Sequence, residues 1–252
     1  MQRRDLIRNA LGLAALASTV RGAASPAARG EAAQSCVVPA RAAERERERV
    51  RVGFLISNGA TVIDFCGPWE VFQDVTLPGV PTRHPFELYT VAQTRDPVRV
   101  TGGMRIIPDY AIADAPLPHV LVVPAIHGSD ATREWIRKVS AVNHLTMSVC
   151  RGAFQLGRAG LLEGLSATTH HDYHESFARD FPGVRLVKNA RFVEDGRIAT
   201  AAGVTAGVDL ALRVVERYYG REVAETTARY MEHESEAWKV ALKRSSRVQV
   251  VA

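Results

Sequence analysis

Leu145-Thr146-Met147-Ser148-Val149-Cys150-Arg151-Gly152-Ala153 is the stretch on which the fold turns. Its first five residues read as a short buried strand. Two small residues follow Arg151, and a helical pattern runs over 152–162, ending near Gly164. Strand, sharp turn and helix in immediate succession are the building unit of a parallel sheet wrapped by helices. Such sheets bind ligands outside the carboxyl ends of their strands, and Cys150 stands at that edge. At the start of a helix, free N–H groups and the helix dipole favour a thiolate. The geometry is that of a nucleophile elbow with sulfur in place of oxygen. Buried inert cysteines are equally common, so spacing alone leaves Cys150 balanced between the two uses.

Outward from this unit the pattern repeats. Residues 50–56 read as a buried strand, followed by a helix after Gly67-Pro68 with proline in its first turn. Residues 86–92 form a second strand, and 98–112, broken at Gly102-Gly103, a hairpin pair. The apolar run His119-Val120-Leu121-Val122-Val123-Pro124 fits a strand covered on both faces. Helices are expected over 133–144, 172–180, 205–219 and 222–232, and a short strand over 165–169. Residues 185–201 read as a hairpin turned at Asp195-Gly196, with Leu186-Val187 in its first arm. The expected fold is a flavodoxin-like α/β domain over 50–233: a doubly wound, mostly parallel sheet with helices on both faces.

The net charge of +5 over 252 residues is concentrated at one end. Residues 1–30 hold five arginines against Asp5, a net +4, which leaves +1 for the rest. No basic face of the kind nucleic acid requires is apparent, and no long apolar run suggests a membrane span. Arg3-Arg4 ahead of a short apolar stretch and the small residues 22–28 have the parts of an export signal, of the twin-arginine kind. Residues 1–30 are thus read as signal, 31–49 as a solvated linker and 234–252 as a tail, with a periplasmic or secreted location. Three cysteines do not make a disulfide framework. In an exported chain Cys36 and Cys66 have the option of pairing, with Cys150 left over.

Two further segments fall at the same sheet edge. Ile63-Asp64-Phe65-Cys66-Gly67-Pro68 places a carboxylate among apolar residues, where its pKa rises and it can exchange protons with a thiol. A helix-capping role for Asp64 is the alternative. Val123-Pro124-Ala125-Ile126-His127-Gly128 forms a turn whose N–H groups can hold an oxyanion. His170 and His174 have helical metal-pair spacing, but His170 ends an expected strand, so no metal is expected. Arg191, Glu194 and Arg197 read as solvated charges.

Taken together, these segments resemble the ThiJ/PfpI superfamily of the class I glutamine-amidotransferase-like fold. Ser148-Val149-Cys150-Arg151-Gly152-Ala153, Ala159-Gly160-Leu161-Leu162-Glu163-Gly164, Ala167-Thr168-Thr169-His170 and Gly203-Val204-Thr205-Ala206-Gly207-Val208-Asp209 carry the likeness. It points to the isonitrile-hydratase branch and equally to the ligand-sensing domains of AraC-type regulators. The resemblance implies Cys150 as nucleophile and Asp64 as proton carrier, with Ala125, Ile126, Arg151, Gly152, His170 and Thr205 around an oxyanion or substrate. It implies no cofactor, a small-molecule substrate and a homodimer. A non-catalytic ligand- or redox-sensing protein is the alternative. Two positions depart from the pattern: Arg151 stands where that branch has threonine, and Pro124-Ala125-Ile126-His127-Gly128 replaces a glycine-rich turn. Too few residues follow Gly220 for the regulators' tandem helix-turn-helix, so no nucleic-acid partner is expected.

Overall fold

A computed structural model describes residues 49–79 and 84–239. The segment expected to be an export signal, the expected linker up to residue 48 and residues 240–252 lie outside the described residues, as does Cys36. Strands are β1 (Val50–Leu55), β2 (Phe86–Ala92), β3 (Val98–Arg99), β4 (Arg105–Ile106), β5 (Tyr110–Ala111), β6 (Val120–Val123), β7 (Leu145–Val149), β8 (Ser166–Ala167), β9 (Arg185–Leu186), β10 (Phe192–Asp195) and β11 (Ile198–Ala201). Helices are α1 (Val62–Gln73), α2 (Asp130–Val142), α3 (Gly152–Arg158), α4 (His174–Asp180), α5 (Ala206–Tyr219) and α6 (Arg221–Tyr230).

Seven strands form the central sheet in the order β10-β11-β7-β6-β1-β2-β5. Every pairing in it is parallel except β10 with β11. Strands β6 and β7 are buried along their whole length, as expected for a sheet covered on both faces. This is the mixed α/β architecture that the sequence pattern led us to expect.

Helix α1 begins at Val62, well before Pro68, which lies inside it rather than in its first turn. Pro68 has no N–H for the carbonyl of Asp64, a local cost in a helix interior. Close packing compensates: a Cβ on Gly207 would sit 3.2 Å from the Pro68 ring and 2.9 Å from Val149, so α1, α5 and β7 meet where Gly207 leaves room. Asp64 therefore belongs to the first turn of α1 and caps nothing; Thr61 holds the cap position, without a side-chain bond.

The long hairpin expected over 185–201 is shorter. β10 and β11 turn at Gly196, which has φ 62°, whereas β9 pairs in parallel with β8 in a separate two-stranded sheet. α2 starts at Asp130, ahead of the expected 133, because the Ser129 hydroxyl accepts the Thr132 N–H at 3.2 Å. Nor are the hairpin charges simply solvated. Glu194 accepts from buried Arg213 at 2.8 Å and from Arg217 at 2.9 Å, tying β10 to α5. Arg197 donates to the Ala141 and Asn143 carbonyls at the end of α2, the terminus a cation stabilises.

Gly152 fixes how closely α3 approaches β6. A Cβ there would lie 2.0 Å from the Val123 carbonyl oxygen and 2.9 Å from that of Pro124, both backbone atoms that cannot swing aside. Gly152→Ala is expected to lower the unfolding free energy in urea by about 3 kcal/mol or to prevent folding. Wild-type stability in that variant would contradict the packing described.

Candidate active site

The turn between β7 and α3 holds Cys150 at φ 58°, in the left-handed region that non-glycine residues rarely enter. Hydrogen bonds on both sides hold it there. Its N–H donates to the Ala202 carbonyl at 2.8 Å, and its own carbonyl accepts the Thr169 hydroxyl at 2.9 Å. Val204 is also left-handed, at φ 45°, a costly conformation for a β-branched residue. What Val204 gains is an N–H directed at the Cys150 sulfur, matched by the N–H of Arg151.

Asp64 is fully buried beside this thiol. Its Oδ2 accepts the Ala125 N–H at 3.1 Å, while Oδ1 has no conventional hydrogen-bond partner among the described residues. Burial pushes the carboxyl up to about 6, against the opposing pull of the Ala125 N–H and the Cys150 thiol. Burial, and then the charge of Asp64, push Cys150 up to about 11. The N–H groups of Arg151 and Val204 and the Arg151 guanidinium work in the other direction. The helix dipole is thus outweighed at Cys150: α3 spans only seven residues, and desolvation dominates. At neutral pH the pair rests as thiol and carboxylate, with the proton available for transfer between them.

Cys150 opens into a cavity of about 410 Å³. Ala125, Ile126, Phe154 and Gln155 line it as buried residues, and His127, Arg151, Arg158 and Asp172 as exposed ones. The site residues expected from sequence divide here. Cys150, Ala125, Ile126, Arg151 and His170 line the cavity, and Asp64 lies buried beside the Cys150 thiol without lining it. The Ala125 N–H, however, is committed to Asp64 rather than free for an oxyanion. Gly152 does not line the cavity and serves close packing. Thr205 is exposed outside it, and its hydroxyl accepts from Arg191 at 3.2 Å.

That last bond belongs to a support for the site. Arg191 also donates to the wholly buried Asp209 at 2.7 Å, and His233 approaches the other Asp209 oxygen at 3.0 Å. The Arg191 carbonyl accepts the Ala202 N–H at 2.9 Å. Arg191 is therefore not a plain solvated charge: it braces both ends of the turn that carries Val204.

His170 precedes the 3-10 turn His171–Tyr173, so it shares no helix face with His174. Its Nδ1 accepts the Asp172 N–H at 3.2 Å, which leaves the ring proton on Nε2. His174 instead meets the Thr169 carbonyl at 3.2 Å. Ligand atoms of His170, His171 and Asp172 lie within 4.8 Å of one another, two of these residues being exposed. Gln155 was missed from sequence. It is buried, its Nε2 donates to the Ile126 carbonyl at 3.1 Å, and its Oε1 has no partner among the described residues. The available signal was one amide among the apolar residues Ala153, Phe154 and Leu156.

The raised carboxyl makes a stability prediction with a definite sign. With a folded-state pKa near 6 against 3.8 for the ordinary group, the native state holds the Asp64 proton more tightly than the unfolded chain. This contribution is favourable at low pH and is lost between about pH 4 and pH 6. Asp64→Asn is expected to gain about 2–3 kcal/mol relative to wild type as pH rises from 4 to 7.5. Urea unfolding at both pH values checks this; a pH-independent difference would contradict the burial argument.

The DJ-1/PfpI family pattern matches residues 50–217, the segment that contains this geometry. The chain is 32% identical over 190 residues to the isonitrile hydratase of Pseudomonas putida, covering 73% of this chain and 78% of that protein. It is 26% identical to the HTH-type transcriptional regulator GbdR of Pseudomonas aeruginosa, covering 71% of this chain but only 50% of the regulator. Among solved structures, a ThiJ/PfpI family protein from Pseudomonas syringae superposes with a TM-score of 0.66 at 28% identity, covering 75% of this chain and 77% of that one. With its elbow cysteine, buried acid and matching fold, the chain belongs to the DJ-1/PfpI family.

Proposed function

We propose that the protein hydrates a small electrophilic carbon, of which an isocyanide is the type, through Cys150 and Asp64. The observation that carries this reading is a thiol that lines a cavity and has a buried carboxyl beside it. The likeness to the Pseudomonas putida isonitrile hydratase supports the substrate type.

In this reading the Asp64 carboxylate takes the thiol proton as Cys150 sulfur attacks the terminal isocyanide carbon. The acid then delivers that proton to the same carbon, giving a thioimidate. Ionised again, Asp64 draws a proton from a water molecule that adds to the thioimidate carbon. Asp64 passes that proton to the former imidate nitrogen, and collapse of the hydroxyl-bearing carbon then breaks the carbon–sulfur bond, the hydroxyl proton moving through Asp64 to sulfur. Isocyanide plus water thus yields a formamide, with thiol and carboxylate restored. The N–H groups of Arg151 and Val204 stabilise sulfur while it carries negative charge.

A peroxide-sensing role for Cys150 is less well supported. Sensor thiols are exposed and of low pKa, whereas this one is buried and raised. We further propose, from residues 1–30, export by a twin-arginine-type route; cell fractionation with and without Arg3-Arg4 tests that reading. A homodimer acting on small molecules, without nucleic acid, remains our expectation for the assembly. Among the described residues no helix is long and apolar enough to cross a membrane.

Formamide production from an alkyl isocyanide tests the chemistry. Turnover is expected in wild type, none in Cys150→Ala, and a loss of about 10²–10⁴-fold in Asp64→Asn. The wild-type kcat/KM is expected to rise with pH through about 6, as Asp64 ionises. Absence of turnover, or equal turnover in Cys150→Ala, would refute the proposal.

A further inference from the structure

Two guanidiniums line the cavity beside Cys150. Arg151 rests over the Tyr173 ring, 4.6 Å from its centroid, and Arg158 over Phe154 at 5.7 Å. Neither has a carboxylate within 4 Å among the described residues. A guanidinium stacked on an aromatic face keeps its edge N–H groups open for a carboxylate fork. Asp172, the exposed acid of the cavity, has a His171 ring nitrogen 3.1 Å from one of its carboxylate oxygens.

An independent observation comes from the buried side. Gln155 lines the same cavity, is 3% exposed and leaves Oε1 without a partner. A buried carbonyl oxygen left unpaired is costly, and a ligand N–H or O–H relieves that cost. Gly128 belongs to this arrangement, since a Cβ there would come within 2.3 Å of that oxygen. The cavity thus presents cationic forks on exposed residues and a thiol beside them, with the unpaired Gln155 oxygen buried in its wall.

We infer that this site takes small carboxylates bearing an N–H or O–H donor, the carboxylate held by Arg151 and Arg158 and the donor by Gln155 Oε1. This names a substrate class for the proposed function and rests on that reading for the attack by Cys150. The recognition itself is a matter of charge and hydrogen bonding. Attraction in a partly enclosed cavity is strong and weakens with salt.

Alkylation with iodoacetate and iodoacetamide compares one reactive carbon with and without a negative charge. In either case sulfur displaces iodide and the thiol proton passes to Asp64 or water. Peptide mass spectrometry follows Cys150 separately from Cys66. The iodoacetate-to-iodoacetamide rate ratio at Cys150 is expected to exceed that of glutathione about tenfold at low salt. It should fall in 0.5 M NaCl (roughly a 4 Å screening length) and approach the glutathione value in an Arg151→Gln/Arg158→Gln double variant. A wild-type ratio no higher than that of glutathione, or a raised ratio unchanged in the double variant, overturns the inference. Calorimetric titration of Cys150→Ala decides the matter without any nucleophile. Succinamate, with carboxylate and amide N–H, is expected to bind about tenfold more tightly than neutral succinamide, a preference lost in the double arginine variant. Equal affinities overturn the inference. If Cys150 resists both alkylating agents while Cys66 reacts, the nucleophile reading fails, and the titration alone then upholds or overturns the carboxylate class.

Discussion

A thiol and a carboxyl buried against one another govern this site. Each is deprived of water, so each resists ionisation, and one negative charge raises the cost of a second. Asp64 near 6 and Cys150 near 11 leave a single charge on the acid at neutral pH. The sulfur is consequently stored as thiol beside its own base. In the proposed chemistry, attack by sulfur is coupled to transfer of its proton to Asp64. Such an arrangement suits proton-coupled addition better than redox sensing.

Much of the surrounding structure serves to keep that pair in register. Cys150 and Val204 both occupy left-handed backbone conformations, and both are strapped by hydrogen bonds. The Val204 turn is braced by Arg191, whose guanidinium is held by buried Asp209. Gly203 makes room for the His170 ring, which a Cβ there would meet at 2.7 Å. Small residues recur where helices and strands must come close: Gly152 under the carbonyls of β6, and Gly207 between α1, α5 and β7. Strain at a functional turn persists only where its surroundings over-determine it, and here they do.

The sheet was legible because its central strands are nearly continuous apolar runs, and Cys150 because one such run stops at it. Asp64 was legible as an acid among apolar neighbours, but its helix was not. Proline reads locally as a helix start, whereas Pro68 is tolerated in mid-helix through contact with Gly207, 139 residues away in sequence (68 to 207). The thiol's pKa was misjudged for a similar reason: a helix dipole is a local property, desolvation a tertiary one. Arg191 and Glu194 looked solvated because their buried partners Asp209 and Arg213 lie 18 and 19 residues further on. Gln155 carried almost no signal, since only the cavity shows that one of its amide atoms is unpaired.

The shared burial of sulfur and acid can be measured directly by ultraviolet thiolate absorbance as a function of pH, in wild type and Asp64→Asn, with Cys150→Ala subtracted from each. The account predicts that Cys150 titrates well above an ordinary thiol, towards 11, and that its pKa falls when Asp64 loses its charge. A Cys150 already ionised at pH 7, or a titration indifferent to Asp64→Asn, would contradict it.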